Sequence, residues 1–594
     1  MVKIRSVING SEVLAPAGIT IFEAAQQAGI DIPTLCHHQK LKPIGACRVC
    51  VVEIKGQRNL QTACTFPIAE GMEIETESPR VVNARKFILG MLFSERNHLC
   101  PFCEASGDCE LQNLGYRYGI DHWFYPTFTQ GFPQDASRIF FTMNQNRCIL
   151  CQRCERACSE LVANHTLGLR QRGADSMIHC DANVPCGLST CIKCGTCLQI
   201  CPTGALYDKR SSFMGRSNQS EFTRSICNKC SVGCGTTIVT RGGNVLRIDG
   251  DWEAPVNDGL LCKMGRFDPL YDKRKRITEP MLRRQKKLEP VSWEEALQAI
   301  AERINSTDAN GIGLLVSGDA TNEALYIAGH LFKEELRSEN VGLLSGSTPD
   351  LFDKKPGSFS DLTGSDVILL IGANPAKDQP VSSYFVKRLV DKGVRLIVVD
   401  NGKNELSPFA YITLKLEDIG KAVEIADQVD NVTILYGTGI TEEAAQTLKK
   451  LEPKARFVAL EPGINTRAAV KLGMDNGFQA SSAKVIYALL GEQDQDGNHV
   501  LEKAEKAAFV IVQAGYASPL IDRADVVLPS AIWSERAGTL TNTEGVIQMA
   551  NQAVEPAGKA KPDWEILSLL ADRLGKNLGA SFDDISARAA KELK

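Results

Sequence analysis

The sequence predicts a multidomain protein in which small, cysteine-rich α+β domains precede an α/β domain. All 21 cysteines lie at or before Cys262, and the chain after that residue contains none. Two cysteine runs with the same spacing lie between Cys148 and Cys201. From about residue 276 onward, buried-type apolar runs alternate with helical patterns, which is typical of a doubly wound parallel sheet. The front of the chain therefore differs in kind from the back.

Composition excludes several classes of protein. At 594 residues the chain has room for several domains, and 43% hydrophobic with 23% charged residues predicts that most of it folds. The net charge of −4 gives no support for a nucleic-acid or membrane-surface partner. No apolar run approaches the ~20 residues of a membrane-spanning helix. Clustered cysteine pairs without a signal peptide predict a cytoplasmic protein with metal clusters rather than a disulfide scaffold.

Residues 1–78 are predicted to form a small β-grasp domain. Residues 2–14 alternate like two strands around the turn dipeptide Asn9-Gly10, and a helix follows from Thr20 to a stop at Gly29. The domain then supplies Cys36, Cys47, Cys50 and Cys64. Plant-type ferredoxins space their cysteines similarly but with a shorter first gap. We predict a [2Fe-2S] site, with zinc as the alternative.

Residues 79–137 combine a helix, a ligand segment and an aromatic connector. Apolar residues at helical intervals predict a helix over 79–96. The segment after it contains three cysteines, which cannot complete a four-ligand cluster, and a histidine beside them. The predicted [4Fe-4S] ligands are His98, Cys100, Cys103 and Cys109. A histidine ligand is expected to raise the reduction potential, as it does in Rieske centres.

Residues 138–212 contain the strongest motif of the chain, the run C-x2-C-x2-C-x3-C in two copies. In two-cluster ferredoxins three cysteines of each run hold one cluster and the fourth ligates the other. One [4Fe-4S] cluster is therefore assigned to Cys148, Cys151, Cys154 and Cys201. The second is assigned to Cys158, Cys191, Cys194 and Cys197. A pair of zinc sites is the alternative, but zinc favours two CxxC pairs around one ion.

Residues 221–275 hold a fifth predicted site. The spacing C-x2-C-x3-C-x27-C supplies Cys227, Cys230, Cys234 and Cys262, with a strand-like stretch between that returns the chain to the first three. Zinc remains the alternative here too. Nineteen cysteines and His98 then make twenty ligands, enough for five four-coordinate clusters. Cys180 and Cys186 are left over. We interpret them as structural thiols, with ligands of a further group as the alternative.

These motifs together resemble a known family. The cysteine spacing of residues 36–64 is similar to that of the large iron–sulfur subunit of respiratory complex I. It is equally similar to the matching subunits of NAD-linked hydrogenases and formate dehydrogenases. In many complex I relatives the histidine lies four positions before the first cysteine. Here His98 lies two before Cys100, which resembles the diaphorase iron–sulfur subunits of NAD-linked nickel–iron hydrogenases.

The back half, residues 276–594, resembles a shortened molybdopterin oxidoreductase domain. The resemblance rests on the loop Gly372-Ala-Asn-Pro375, on residues 524–545 and on Pro562-Asp-Trp-Glu565. Lys263 lies where that family places a basic residue between cluster and pterin. Active members bind the metal through a cysteine, selenocysteine or serine, and no cysteine follows Cys262. We therefore expect a scaffold without molybdopterin.

The sequence contains no readable dinucleotide-binding motif. A dinucleotide fold requires G-x-G-x-x-G between a strand and a helix. The pairs Gly311-x-Gly313 and Gly437-x-Gly439 lack the third glycine. We predict no FMN or NAD site in this chain, so hydride chemistry is expected on another subunit.

The predicted fold class is multidomain α+β followed by α/β. In order, it comprises a β-grasp [2Fe-2S] ferredoxin domain, a His-Cys [4Fe-4S] segment, a two-[4Fe-4S] ferredoxin domain, a [4Fe-4S] molybdopterin-family cluster domain and a doubly wound scaffold. The resemblance implies an electron-transfer subunit without catalytic residues, carrying one [2Fe-2S] and four [4Fe-4S] clusters. Its implied partners are a flavoprotein NADH-binding subunit, a small [2Fe-2S] subunit and hydrogenase subunits, with ferredoxin as a further partner. The alternatives are the complex I subunit that delivers electrons to quinone, a formate dehydrogenase, and a zinc-stabilised interaction scaffold.

Overall fold

The computed structural model describes residues 3–126, 131–350, 352, 357–475, 478–492, 502, 504, 507–579 and 581–593. Residues 127–130, part of the predicted connector, lie outside the described residues. The chain divides into two compact units, Met1–Glu221 and Phe222–Lys594. The boundary follows directly on the polar stretch 211–220 that the sequence marks as a linker. Each unit is described by itself below.

The first unit opens with a five-stranded mixed sheet of order β2-β1-β5-β3-β4. Its strands are β1 Lys3–Ile8, β2 Ser11–Pro16, β3 Val51–Ile54, β4 Gln61–Thr62 and β5 Glu73–Glu75. Strands β1 and β2 pair antiparallel around Asn9 (φ 50°) and Gly10 (φ 77°), the conformation that the dipeptide predicts. Helix α1 (Ile21–Gln27) begins in a capping box between Thr20 and Glu23 and buries Ile21 and Ala24.

Two further helices connect this sheet to the next cysteines. Helix α2 (Pro79–Glu95) confirms the helix predicted over 79–96. It begins with Ser78 as N-cap and Pro79 in the first turn, where proline is tolerated. The fully buried Arg85 of α2 donates to the carbonyls of Val49 and Val51, which fixes the helix to β3. Helix α3 (Glu110–Arg117) follows Cys109 directly.

Short elements frame the paired cysteine runs. They are β6 Gln134–Asp135, β7 Phe141–Asn144, α4 Arg153–Arg156, β8 Leu167–Arg170, β9 Met177–Cys180, α5 Thr196–Gln199 and β10 Leu206–Asp208. Strands β10, β7 and β6 form one antiparallel sheet, and β8 with β9 forms a hairpin. A π-helix, Ala157–Leu161, continues α4, so both cysteine runs end in helical turns.

The second unit begins with a three-stranded sheet and a short helix. These elements are β11 Glu221–Ile226, β12 Gly235–Arg241, β13 Asn244–Gly250 and α6 Lys263–Arg266. Strands β12 and β13 pair antiparallel, so the chain runs out after Cys234 and returns toward Cys262, as the sequence predicts.

The α/β region contains two parallel-rich sheets. Its strands are β14 Met281–Arg284, β15 Lys287–Pro290, β16 Ile312–Val316, β17 Asn340–Leu343, β18 Val367–Ile371, β19 Arg395–Val399, β20 Ile412–Leu414, β21 Val432–Tyr436, β22 Ala455–Ala459, β23 Val485–Gly491, β24 Phe509–Ala514, β25 Val526–Pro529, β26 Gly538–Thr541 and β27 Ile547–Ala550. One sheet has the order β15-β14-β25-β24-β23-β16-β17 and the other β20-β19-β18-β21-β22. The central strands of both sheets are buried on two faces, which explains their continuous apolar runs.

Helices cover the faces of these sheets. They are α7 Trp293–Asn305, α8 Asn322–Gly329, α9 Pro375–Asp378, α10 Pro380–Val390, α11 Ile419–Asp427, α12 Glu442–Leu448, α13 Thr466–Lys471, α14 Asp563–Arg573 and α15 Phe582–Glu592. Among the described residues, no helix has the length and apolar character that crossing a membrane requires.

Candidate iron–sulfur sites

The first four cysteines converge beside the five-stranded sheet. The Sγ atoms of Cys50 and Cys64 lie 3.3 Å apart, and the N–H of Cys47 donates to Cys36 Sγ at 3.4 Å. The pKa of the Cys36 thiol is lowered to about 2, chiefly by hydrogen bonds from the Cys47 and Cys64 thiols. The backbone N–H groups of Cys47 and Ala46 contribute further. Amides directed at a buried sulfur stabilise the thiolate, the form that binds iron.

The histidine and three cysteines of the second site line one cavity. They are His98, Cys100, Cys103 and Cys109. His98 follows α2, and its ring meets the Phe93 ring edge-on at 5.9 Å, which orients the imidazole. Gly204 forms part of the wall, because a Cβ there would lie 2.5 Å from Cys103 Sγ. The structure therefore places the sequence-predicted histidine with its cysteines.

The electrostatics of His98 suit a metal ligand. Burial, followed by the charges of Arg147 and Arg96, lowers the pKa of His98 to about 4. The imidazole is therefore neutral at physiological pH and keeps a lone pair available. Its Nε2 atom is buried without a hydrogen-bond partner among the described residues. A buried polar atom without a partner is costly unless a ligand satisfies it, and iron bound at this atom would do so.

The last cysteine of each run lies with the first three cysteines of the other run. One cavity is lined by Cys148, Cys151, Cys154 and Cys201. Burial raises the pKa of Cys158 to about 11, and the neighbouring thiols that add to this rise are Cys194 and Cys191. The pKa of Cys197 is also raised, first by burial and then by the neighbouring thiols of Cys194, Cys191 and Cys158. Each set of four thus combines three cysteines of one run with the last cysteine of the other.

The backbone of the two runs has the same irregular conformation. Leu150 (φ 53°) and Gln152 (φ 58°) flank Cys151, and Lys193 (φ 59°) and Gly195 (φ 76°) occupy the matching positions around Cys194. A left-handed conformation costs a non-glycine residue about 1 to 2 kcal/mol. Its benefit is a concave nest of successive N–H groups, which binds anions and is common at iron–sulfur sites.

The fifth set of cysteines lies at the start of the second unit. The N–H of Cys227 donates to the Cys234 carbonyl at 2.8 Å, which closes the loop that carries the first three ligands. Burial raises the pKa of Cys262 to about 12. Hydrogen bonds from the N–H groups of Gly265 and Met264 act in the opposite direction but do not outweigh burial. A Cβ at Gly265 would lie 3.0 Å from Cys227 Sγ, so glycine leaves room beside that sulfur.

The residues present fit iron–sulfur clusters at all five places. Each place has four soft or imidazole donors, buried or half-buried, with backbone amides or glycines beside the sulfurs. The unsatisfied Nε2 of His98 and the repeated nests of the cysteine runs are the observations that decide this fit. Iron–sulfur clusters, when bound, supply one-electron transfer.

Sequence reasoning missed a set of buried arginines around these sites. Arg153 pairs with Glu110 through two bonds of 2.6 and 2.9 Å. Arg156 donates to the carbonyls of Cys36 and Cys151, and so ties the first site to the third. Both arginines lie inside a cysteine run, where a buried motif would favour small or apolar residues. Two arginines inside the first cysteine run were therefore the sequence signal that could have identified these buried charges.

The prediction for Cys180 and Cys186 is corrected by the structure. They form a disulfide and are not free structural thiols. The other nineteen cysteines are free in the structure. The sequence shows that the two residues are six apart but does not show that the chain folds back between them.

The glycine pair Gly437-x-Gly439, which resembles an incomplete nucleotide loop, packs against the loop at Gly372 and Ala373. A Cβ at Gly439 would lie 2.9 Å from the Gly372 oxygen, and a Cβ at Gly437 would lie 2.8 Å from the Ala373 Cβ. The N–H of Gly439 donates to Gly372 at 3.0 Å. Two loops at the carboxyl ends of β18 and β21 are thereby held in contact, and the glycines serve this close approach.

Two segments predicted by the molybdopterin resemblance carry internal ion pairs. Asp563 accepts hydrogen bonds from Gln513 (2.8 Å), Ser530 (2.7 Å) and Arg536 (2.5 Å). Lys263 forms an ion pair with Asp268 at 2.7 Å. In the structure both motifs thus have partners inside this chain.

Family models match most of the chain. Residues 2–79 match a 2Fe-2S iron-sulfur cluster binding domain. Residues 85–123 match the NADH-ubiquinone oxidoreductase-G iron-sulfur binding region, and residues 188–207 a 4Fe-4S binding domain. Residues 220–269 match the molybdopterin oxidoreductase Fe4S4 domain, and residues 276–573 molybdopterin oxidoreductase.

Curated relatives align over nearly the whole chain. The NADH-ubiquinone oxidoreductase 78 kDa subunit of Neurospora crassa is 29% identical over 98% of this chain and 82% of its own length. The NADH-quinone oxidoreductase G 2 protein of Rhizobium meliloti is 29% identical over 96% of this chain and 79% of its own length. The chain belongs to the molybdopterin oxidoreductase family, whose model matches half of it, and it is similar to the 78 kDa and G subunits of NADH-quinone oxidoreductases. It is thus an oxidoreductase subunit of the electron-transfer type, with 2Fe-2S and 4Fe-4S domains and a molybdopterin-type domain.

A chain of a solved structure is also similar to part of this chain. That structure is an NAD+-reducing [NiFe]-hydrogenase in the H2-reduced state. The matching chain is 35% identical over 36% of this chain and 90% of its own length, with a TM-score of 0.34.

Proposed function

We propose that this chain is the large iron–sulfur subunit of an NADH dehydrogenase complex of the complex I type, which carries electrons from NADH toward quinone. The observation that supports this most is the alignment with NADH-quinone and NADH-ubiquinone oxidoreductase relatives over 96 to 98% of the chain. These relatives favour the quinone-linked alternative over the hydrogenase function that the His98 spacing predicts first.

The proposal assigns one [2Fe-2S] and four [4Fe-4S] clusters to the five ligand sets described above. It also keeps the domain boundaries of the sequence: 1–78, 79–137, 138–212, 221–275 and 276–594. The residues around the ligands have three tasks. Buried side chains keep water from the sulfurs, backbone N–H groups stabilise negative charge on them, and the buried arginines supply compensating positive charge.

The partners follow from what the chain lacks in sequence. It has no readable FMN or NAD motif, so a flavoprotein subunit, with a small [2Fe-2S] subunit beside it, would oxidise NADH and deliver single electrons. The complex would lie in the cytoplasm and meet quinone through other subunits. The molybdopterin-type domain would serve as a scaffold, which agrees with the mutual packing of its glycine loops.

A second candidate, an NAD-linked hydrogenase, has a specific observation in its favour. His98 lies only two residues before Cys100 and still lines the same cavity as the three cysteines. That spacing resembles the hydrogenase branch. The partner that receives electrons would then be a hydrogenase, with ferredoxin as a further acceptor.

One experiment separates the two candidates. The complex is purified anaerobically through a tag on this chain and assayed for NADH oxidation by a short-chain quinone, for hydrogen-dependent NAD+ reduction and for nickel. We expect quinone reductase activity without stoichiometric nickel. Nickel with hydrogen-dependent NAD+ reduction would replace the first candidate by the second. Clusters that NADH leaves oxidised in the complex would overturn both.

A further inference from the structure

The Cys180–Cys186 disulfide is built into the wall of a candidate cluster site. Strand β9 ends at Cys180, which pairs in register with Leu167 of β8. The N–H groups of Leu167 and Thr166 in turn donate hydrogen bonds to Cys158. One strand therefore carries the disulfide, and its hairpin partner supplies hydrogen bonds to a cluster ligand.

A second connection runs through the loop after the disulfide. The Ser189 hydroxyl donates to the Cys186 carbonyl at 2.7 Å and accepts from the N–H of Cys191 at 3.2 Å. Asp181 accepts from both the N–H and the hydroxyl of Thr190, at 2.7 and 2.8 Å. The six-residue disulfide loop thus holds the segment that delivers Cys191 to the same site.

Arg138 places one positive charge between the disulfide and this site. Its Nη2 donates to Cys180 Sγ at 3.1 Å, and its side chain is fully buried over the Phe141 ring at 4.7 Å. The same positive charge acts on Cys197, a cysteine of this site. Its Nε and Nη1 have no hydrogen-bond partner within the described ranges. A buried cation is costly unless negative charge forms beside it.

An open cavity adjoins the disulfide. Its volume is about 420 Å³, and both Cys180 and Cys186 line it, together with Asp135, Arg170 and His179. The rim residues Asn183 and Val184 are exposed. Water can therefore bring protons to the sulfurs, although both cysteines are themselves buried.

We propose that Cys180 and Cys186 form a redox-active disulfide in series with the site of Cys158, Cys191, Cys194 and Cys197. The S–S bond accepts two electrons, one at a time, and two protons from water, and becomes two thiols. The first electron makes the sulfur pair anionic, and Arg138 beside Cys180 stabilises that charge. Oxidation to the disulfide returns the two electrons and the two protons. The pair would thereby store a two-electron equivalent beside one-electron carriers.

The electrons are those of the iron–sulfur clusters, so the inference rests on the proposed function. Under that function the chain works beside NADH in a compartment that keeps thiols reduced. Disulfides that persist there are mostly catalytic or redox-sensing.

Differential alkylation of the purified complex tests the proposal. Samples are quenched in acid, then denatured and alkylated with light iodoacetamide near pH 8, where thiols react as thiolates. They are finally fully reduced and labelled with heavy iodoacetamide. Trypsin releases residues 173–193, which contain Cys180, Cys186 and the cluster ligand Cys191 as an internal standard. In the oxidised complex we expect heavy label on Cys180 and Cys186 and light label on Cys191. After anaerobic reduction with NADH we expect light label on all three.

Parallel electron-spin resonance spectra separate the two ways of failing. If NADH reduces the clusters but Cys180 and Cys186 still carry the heavy label, the proposal is wrong and the electron-transfer function stands. If NADH reduces neither, but dithionite reduces the clusters and opens the disulfide, the function fails and the proposal stands. Light label on Cys180 and Cys186 before any reduction also overturns the proposal, because the disulfide would then be absent.

The role of Arg138 gives a second measurement. Arg138→Gln should slow disulfide opening by NADH about tenfold, the value of one charge-assisted hydrogen bond in the barrier. The cluster signals should keep their intensities. Arg58→Gln, a change at an exposed arginine of the same unit, should leave the opening rate unchanged. Equal rates in both variants would remove Arg138 from the proposal, and the labelling of the unmodified complex remains decisive if Arg138→Gln does not fold.

Discussion

His98 shows how one residue can carry a functional assignment. Its ring is packed by Phe93, its pKa is lowered to about 4, and its Nε2 lacks a partner in the described part of the chain. A structural histidine in a protein core normally satisfies both ring nitrogens. A ligand to iron explains all three observations together.

Replacing His98 by alanine should change one cluster and spare the others. We expect one electron-spin resonance signal of the reduced complex to be lost or altered, because that cluster keeps only three protein ligands. His122→Ala is the matched control, since His122 is exposed and its Nδ1 pairs with Asp121. An unchanged set of signals in the His98 variant would remove it from the ligands.

Residue types that follow a spacing rule were predictable, and residue environments were not. Twenty candidate ligands could be proposed from sequence because a cluster imposes short, regular gaps on the cysteines that bind it. The pairing of Cys180 with Cys186 and the burial of Arg138 depend on how β8, β9 and the next loop fold together. Such contacts join residues far apart in sequence and leave no periodic signal.

At the scale of elements, two short helices organise the central pair of sites. Helix α4 carries Cys154 and the π-helix after it carries Cys158, one helical turn further on. Helix α5 carries Cys197, with Cys201 one turn further on. Helices α4 and α5 pack against each other. The cysteine at the end of each helical stretch therefore lies near the first three cysteines of the other run.

This arrangement predicts that a cysteine replacement damages the more distant site in sequence. Cys158→Ser should affect the cluster held by Cys191, Cys194 and Cys197. Cys201→Ser should instead affect the cluster held by the first run. Potentiometric titration followed by electron-spin resonance would distinguish the two clusters. If both variants lose the same signal, the exchange of fourth ligands is wrong.

Strands and helices with strong periodicity were predicted close to their true bounds. The apolar runs expected after about residue 276 include strands β16 (Ile312–Val316) and β18 (Val367–Ile371), and the helix over 79–96 is α2. The division of the α/β region into two sheets was not predicted. Each apolar run predicts a strand buried on two faces, but the run does not indicate which other strand pairs with it.

At the scale of the second unit, a buried chain of charges joins the cluster segment to the α/β domain. Lys229, between Cys227 and Cys230, pairs with Glu492 at 2.8 Å. Glu492 lies 4.0 Å from Arg536, which pairs with Asp563 of α14. Burial raises the pKa of Glu492, but Lys229 and Arg536 overcome this effect and hold it below its ordinary value.

Breaking this chain at Lys229 should destabilise the second unit far more than an equivalent change at the surface. Lys229→Met leaves Glu492 buried with a weaker partner, which costs on the order of 3 kcal/mol. Lys263→Met is the matched control, because Lys263 also adjoins a cluster cysteine but forms a half-exposed pair worth about 0 to 1 kcal/mol. Calorimetry of the complex should therefore show a lower melting temperature for Lys229→Met alone.

The pH dependence of that difference follows from the direction of the two pKa shifts. Burial lowers the pKa of Lys229, but the charge of Glu492 outweighs this effect, so the pKa is raised in the folded chain. The contribution of Lys229 to the free energy of unfolding is therefore present below about pH 10.4 and is lost as the pH rises through the folded pKa. The pKa of Glu492 is lowered, so its contribution is present above about pH 4.3 and is lost as the pH falls through the folded pKa. The two variants should consequently differ most between these limits and converge in acid. A difference in melting temperature that persists unchanged in acid would show that Lys229 acts through packing and not through its charge.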